Sequence, residues 1–435
     1  MASTADDSTP LAIALCREEG HTFVDETLIL PHNDINTELN YRYVERLLKF
    51  LLWQKGGSRI LIAGCEPLAT RIAAAYSEDG KRAFDAGIMG NRLHGTPLTI
   101  QACSMDELPS PNDPSLALGG HLDGCRIGFD LGGSDRKCAA LIDGKVIYSD
   151  EVSWDPYFET DPQYHRDGIQ DCLSRAAASL PRVDAIGGSA AGVLVNSEVR
   201  VSSLFRGVSD TDFDRHVRGI FLDLKNEWPG IPIEVVNDGE VTALAGAMSL
   251  NHNSLLGISM GTSLAGGYCN PEGRITTWLN ELAFAPVDYQ EDAPADEWSG
   301  DEGCGVQYFS QQAVARLMTL AGIDIAENTP LPERLVHVQE RMAEDCPKAR
   351  QIYETIGVWL GYTIAHYSEF YDLEHLLLLG RVMTGRGGEI VIEKSLQALQ
   401  LDFPELHERM TIHTPDETMK RHGQAIAAAS LPAIP

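Results

Sequence analysis

The 435-residue sequence predicts an α/β protein built on a duplicated unit and preceded by a smaller α/β domain. Three observations carry this. Short apolar runs alternate with stretches of helical periodicity along most of the chain. A strand that breaks at glycines and resumes occurs twice, about 130 residues apart, as "IGFDLGGSDRKCAALIDG" from residue 127 and "SLLGISMGTSLAGGYCNPEGRI" from residue 254. Apolar residues make up 43% and charged residues 22%, an ordinary globular composition in a chain too long for one core.

Taken in order, "LAIALCREEGHTFVDETLIL" alternates around a Glu18-Glu19-Gly20-His21 turn and reads as a β-hairpin. In "NTELNYRYVERLLKFLLWQ", Leu39, Tyr43, Leu47 and Phe50 fall on one helical face, with Asn36 as N-cap. "SRILIAGC" is a strand, "EPLATRIAAAYSEDG" a helix and "TPLTIQAC" a strand; the proline-rich residues 107–115 read as a linker. The expected domains are 1–120, a small α/β domain, then lobes at 121–250 and 251–435. Within the lobes, "VDAIGGSAAGVLV" enters a glycine turn, and "IPIEVVNDGEVTALAGAMS" is strand, turn and small-residue helix. Helices follow at 307–322 and 348–371, then the strand "HLLLLGRVMTG" and a closing helix, "HGQAIAAASL", expected to pack back on the first lobe.

The formal net charge is −29. An excess of that size repels nucleic-acid phosphates and anionic lipid, so neither is an expected partner. Local glycine loops and a cation still allow an anionic nucleotide. No apolar run approaches a membrane span, and the polar, acidic start is not a signal peptide. Nine cysteines without a C-x-x-C pair read as reduced thiols of a cytoplasmic protein. The histidines show no metal-pair spacing, and residues 296–302, DEWSGDE, read as a solvated acidic loop.

A hairpin tip of Gly132, Gly133 and Ser134 lets backbone N–H groups approach a phosphate; Lys137 adds a donor, and Asp130 can hold Mg²⁺ through water. Taken alone, the stretch also reads as a plain β-turn. The second tip, Gly261 and Thr262 with Gly266-Gly267, suggests two turns closing on the ends of one polyphosphate. Asp238 ends the strand "IEVVN" where the chain enters a helix, a position suited to accept a hydroxyl proton during phosphoryl transfer. It also reads as that helix's N-cap.

"IGFDLGGSDRK", "EVVNDGEVTALAGA", "LGISMGTSLAGGY", "NELAFAPVDY", "GCGVQYFSQ" and "LLLLGRVMTG", in that order, resemble the ROK family of sugar kinases and repressors over residues 124–430. The resemblance implies an actin-like, hexokinase-like (ribonuclease H-like) ATPase fold of two lobes. It makes the first turn and Gly261-Thr262 phosphate loops, and Gly380 the strand end near adenosine. It makes Asp238 the general base, and Asn237 and Glu281 ligands of sugar hydroxyls. ATP and Mg²⁺ are the implied cofactors, a sugar-like alcohol the substrate, and a homodimer the expected assembly.

The departures concern the sugar. Ser134 stands where the family has threonine, and Phe284 where it has a histidine shared by sugar and structural zinc. Of three zinc cysteines only Cys304 remains, with Ser299 and Asp301 at the other two positions, so no zinc is expected. Val306 replaces a sugar-binding glutamate, and Ser203 falls near an asparagine. Each lost hydroxyl partner forfeits roughly 1–3 kcal/mol, so the acceptor should differ from an ordinary hexose. The leading expectation is an ATP-dependent sugar kinase. The alternatives are a non-catalytic sugar- or nucleotide-binding regulator and an interaction protein that keeps its nucleotide. The first 120 residues lack the basic helix-turn-helix of the family's repressors.

Overall fold

The computed structural model describes residues 8–17, 20–31, 33–113, 118–326, 328–415 and 423–435. The Glu18-Glu19 turn, the end of the 107–115 linker and most of the charged run from 415 to 423 lie outside the described residues. The chain divides into two compact units: Met1–Ser115 with Thr277–Tyr308, and Leu116–Thr276 with Phe309–Pro435. Residues 277–308 therefore belong with the N-terminal residues, whereas the sequence reading leaves them in the second lobe.

The first unit holds a sheet of order β2-β1-β3-β4, formed by β1 (Thr9–Cys16), β2 (Thr22–Ile29), β3 (Arg59–Ala63) and β4 (Thr99–Cys103). The β1–β2 and β1–β3 pairs are antiparallel and β3–β4 is parallel. The helix Thr37–Lys55 is buried on nearly every side from Val44 onward, but Leu39 and Tyr43 of the expected apolar face are exposed. The reason is what covers its C-terminal half. The N–H groups of Leu279 and Asn280 donate to the Gln54 carbonyl (2.8 and 3.0 Å), and that of Glu281 donates to Trp53 (3.0 Å). They satisfy carbonyls that a helix end would otherwise leave open.

The same contact buries charge. Glu45, Arg46, Lys49, Arg82, Asp85 and Asp301 form a closed set of three cations and three anions. Lys49 Nζ lies 2.7 Å from Asp301 and 2.8 Å from Asp85, and Arg46 lies 3.2 Å from Asp301. Arg82 pairs with both Glu45 and Asp301. Asp296 is also buried, accepting from the Ser299 N–H and hydroxyl. The acidic loop expected to be solvated thus puts two carboxylates in the interior. Sequence reading missed this because its counter-charges come from residues about 220–255 positions earlier.

The second unit contains the duplication. Its five-stranded sheet has the order β11-β8-β5-β6-β7, from β5 (Cys125–Leu131), β6 (Asp135–Ile142), β7 (Lys145–Ser153), β8 (Ala185–Ala190) and β11 (Ile233–Asn237). The short pair β9 (Val193–Val195) and β10 (Glu198–Val201) stands apart. A second sheet has the order β13-β12-β14-β15, from β12 (Leu255–Met260), β13 (Leu264–Cys269), β14 (His375–Leu379) and β15 (Thr411–His413). In each sheet a hairpin, β5–β6 or β12–β13, is followed by two strands added parallel to its first member. This common topology is the repeat that the glycine turns mark in sequence.

The first sheet is packed by Ile127, Phe129, Ile186 and Val235 against Leu173 and Phe221. Its other face receives the closing helix Gln424–Ala429 at van der Waals range. A Cβ on Gly128 would strike the Ala425 carbonyl, and one on Gly187 the Ala428 carbonyl. Glycine in the middle of a strand costs stability, and here it lets two backbones touch. Among the described residues no helix is long and apolar enough to cross a membrane.

Candidate active site

Asp130 is the penultimate residue of β5 and is buried. Burial pushes its carboxyl up to about 6; the Ser189 hydroxyl and the Lys137 ammonium pull it down, and the charge of Asp238 adds to the rise. Lys137 stands opposite Asp130 across the hairpin and lies 3.3 Å from Asp135. Burial lowers its ammonium pKa, but the Asp130 and Asp135 carboxylates outweigh that and hold it above its ordinary value.

Each hairpin tip is closed by one backbone hydrogen bond. Gly132 N–H donates to the Asp135 carbonyl (3.0 Å), and Gly261 N–H to the Ser263 carbonyl (2.9 Å). The N–H groups of Gly133, Ser134, Thr262 and Ser263 make no hydrogen bond among the described residues. Such unpaired donors are what a phosphate oxygen takes up. The Ser134 hydroxyl meanwhile donates to Asp135 (2.9 Å). One expectation changes: the space beside Gly133 is not open, because the Tyr157 hydroxyl lies where a Cβ would stand.

Asp238 is the first residue of the helix Asp238–Leu250, and the capping role falls to its neighbour. Asn237 Oδ1 accepts from the Gly239 N–H (2.7 Å), while its Nδ2 donates to the Gly192 carbonyl (2.7 Å). Asn237 is thus engaged as the N-cap and as a brace to the turn after β8. The Asp238 Oδ1 has a longer contact to the same N–H (3.0 Å). Burial raises its carboxyl above the usual range and that N–H lowers it in part. The helix start is pressed onto the second hairpin: a Cβ on Gly239 would strike the Gly266 carbonyl, and one on Gly267 the Gly239 carbonyl. Gly380 abuts Met260, the residue before Gly261.

Asp130, Gly132, Gly133, Ser134, Lys137, Asn237, Asp238, Gly261, Thr262 and Gly380 therefore all belong to the second unit. Asp238 links them, following β11 at the same sheet edge as the end of β5 and starting the helix that abuts β13. Glu281 belongs to the first unit, at the C-terminal end of the helix Thr37–Lys55.

The residues at the degenerate zinc positions are also in the first unit. Phe284 packs on Trp53 (4.5 Å between centroids) and is flanked by Phe84 and Trp298. Asp301 is engaged by three cations. Burial pushes the Cys304 thiol up to about 12, against the nearby Lys49 ammonium, and that thiol contacts Asp301. Zinc needs a thiolate and free donors, so this donor set does not fit it. Among the described residues no group of three or more His, Cys, Asp or Glu is arranged to hold a metal. Asp130 and Asp238, two carboxylates at one edge of the sheet with unpaired N–H donors at the turn that follows Asp130, do suit a divalent cation carried in on a polyphosphate.

Sequence reasoning missed two groups. Tyr157 and Arg206 flank the first turn, the guanidinium 4.3 Å from the Tyr157 ring centroid. His252, His375 and His413 converge, with His375 Nδ1 3.1 Å from His413 Nε2 and the His252 and His375 rings stacked at 4.1 Å. No local spacing could show these.

No model of a protein family matches the chain, and no curated protein matches it. Solved structures do match. A ROK hexokinase from Thermus thermophilus is similar at 20% identity and a TM-score of 0.55, over 70% of this chain and 96% of that one. A ROK family glucokinase from Streptomyces griseus, in complex with glucose and AMPPNP, is similar at 19% identity and 0.51, over 70% and 98%. A ROK family transcriptional regulator, a homologue of the E. coli MLC protein, is similar at 16% identity and 0.54, over 84% and 88%. The chain has the ROK-type fold.

Proposed function

We propose that this protein is an ATP-dependent phosphotransferase acting on a hydroxyl of a sugar or sugar-like molecule. The observation that carries the reading is the state of Asp238. Asn237 caps the helix, so Asp238 stands at the sheet edge from which the first glycine turn also leaves, at the start of a helix packed on β13. In this reading the unpaired N–H groups of Gly133, Ser134, Thr262 and Ser263 bind phosphate oxygens, with Lys137 adding charge. Asp130 would hold Mg²⁺, and Gly380 would border the adenosine. Bound magnesium would neutralise phosphate charge. Asp238 takes the proton of the acceptor hydroxyl as it attacks the terminal phosphorus, and its raised pKa brings it closer to that alcohol's demand. Asn237 holds the start of the helix from which Asp238 acts.

The sequence departures at Phe284, packed among aromatic rings, and at Val306, buried, favour a substrate with fewer hydroxyl partners than a plain hexose. The same two residues favour a second reading, a nucleotide-binding regulator that has lost phosphorylation. ADP release with Mg-ATP, measured against hexoses, N-acylated hexosamines and polyols, separates them. The kinase reading expects at least one acceptor to raise ADP release and to appear as a phosphorylated product; the regulator reading expects nucleotide binding with none.

A further inference from the structure

We infer that Arg206 binds the terminal phosphate of the nucleotide, in concert with the tip of the first glycine turn; this rests on the nucleotide reading above. The second unit is rich in acidic residues, and its arginines are mostly neutralised. Arg136, Arg166, Arg175, Arg182, Arg200 and Arg218 each lie within salt-bridge distance of a carboxylate. Arg206 is exposed and has no acidic partner among the described residues. Its guanidinium is held by rings instead, 4.3 Å from the Tyr157 centroid and 5.0 Å from that of Phe158. A planar guanidinium held this way keeps its in-plane N–H donors free for a doubly bonded contact to an oxyanion.

The position of that ring gives the direction. The Tyr157 hydroxyl lies against Gly133, so one phenol separates Arg206 from the N–H groups of Gly133 and Ser134 that carry no bond. The loop bearing Arg206 is tied to the same rim. The Ser202 hydroxyl donates to the Ala191 carbonyl (2.5 Å), next to Gly192, whose carbonyl holds Asn237. β5, β8 and β11 run parallel, with Leu131 paired to Ala190 and Ala190 to Asn237, so the first turn and Asp238 leave the same edge of one sheet, and the group attacked under the control of Asp238 is the phosphate at the first turn. That is the end of the nucleotide absent from ADP.

The alternative is a surface cation–π brace with no ligand, worth little to the fold. The two differ in nucleotide binding, which needs no acceptor. Calorimetric titration of the full chain with Mg-AMPPNP and with Mg-ADP should show that Arg206→Gln weakens AMPPNP about 10–100-fold and leaves ADP unchanged. Arg206→Lys should recover part of the AMPPNP affinity. An unchanged AMPPNP affinity, or equal losses for both nucleotides, overturns the inference while the nucleotide reading stands. Absence of binding of either nucleotide to the unsubstituted protein overturns that reading, and the inference with it. Melting temperatures of the variants within the ordinary surface range, with the AMPPNP loss, exclude a brace.

Discussion

At Asp238 the structure turns an ambiguity into a prediction. Asp and Asn cap helices about equally, so a capping role would make Asp238→Asn silent. With the cap on Asn237, Asp238→Asn should leave the melting temperature unchanged and lower turnover at least about 10²-fold, the lower end of a general base's contribution. Asn237→Ala should behave differently, losing about 1 kcal/mol of stability from the cap. Chemical denaturation of the two variants separates these roles. Asp301 gives a second residue-scale outcome. Asp301→Ala leaves Arg46, Lys49 and Arg82 without their shared anion and should cost about 3–5 kcal/mol. Glu297→Ala, in the same acidic run but exposed, should change stability by no more than about 0.5 kcal/mol. Equal urea midpoints for the two would contradict the buried network.

At the scale of elements, the strands, the glycine turns and most helices are legible because their signals are local: period-two alternation, apolar runs between glycines, and a small-residue helix at the end. What the sequence hid is long-range. The wrap of 277–308 onto the helix Thr37–Lys55 depends on charges far apart in the chain, and a local pattern of acidic residues looks the same buried or solvated. The three histidines are a further case, since β14, β15 and the end of the helix Asp238–Leu250 bring them together. Burial and the neighbouring imidazoles lower the pKa of His375 and His413; Glu374 opposes this at His375. The unfolded chain therefore binds protons that the folded one refuses, and stability should fall as pH drops below about 6.5. Melting temperatures from pH 7.5 to 5 should show this loss, and His413→Gln should flatten it; an identical slope in the variant would contradict it. The closing helix adds another test. Gly187→Ala would drive a methyl into the Ala428 carbonyl and should destabilise by about 1–3 kcal/mol, measured in urea.

For the whole molecule, the account is one of duplicated hairpins, the first leaving the same sheet edge as Asp238 and the second packed through β13 on the helix that Asp238 starts, in a chain whose net charge of −29 would leave phosphate binding to local donors. The fold was readable because glycine tips repeat in sequence as they do in topology. Phe284 and Val306 were legible only as departures from a motif, because a missing residue type shows in sequence while the aromatic rings around Phe284 do not. The central claim is phosphoryl transfer governed by Asp238. Its most direct test is ³¹P NMR of the full chain with Mg-ATP and an acceptor panel, run beside Asp238→Asn. The account predicts a new phosphate-ester signal with at least one acceptor, appearing with ADP and slowed at least about 10²-fold in the variant. A product formed at the same rate by both proteins, or nucleotide binding with no ester for any acceptor, would contradict it.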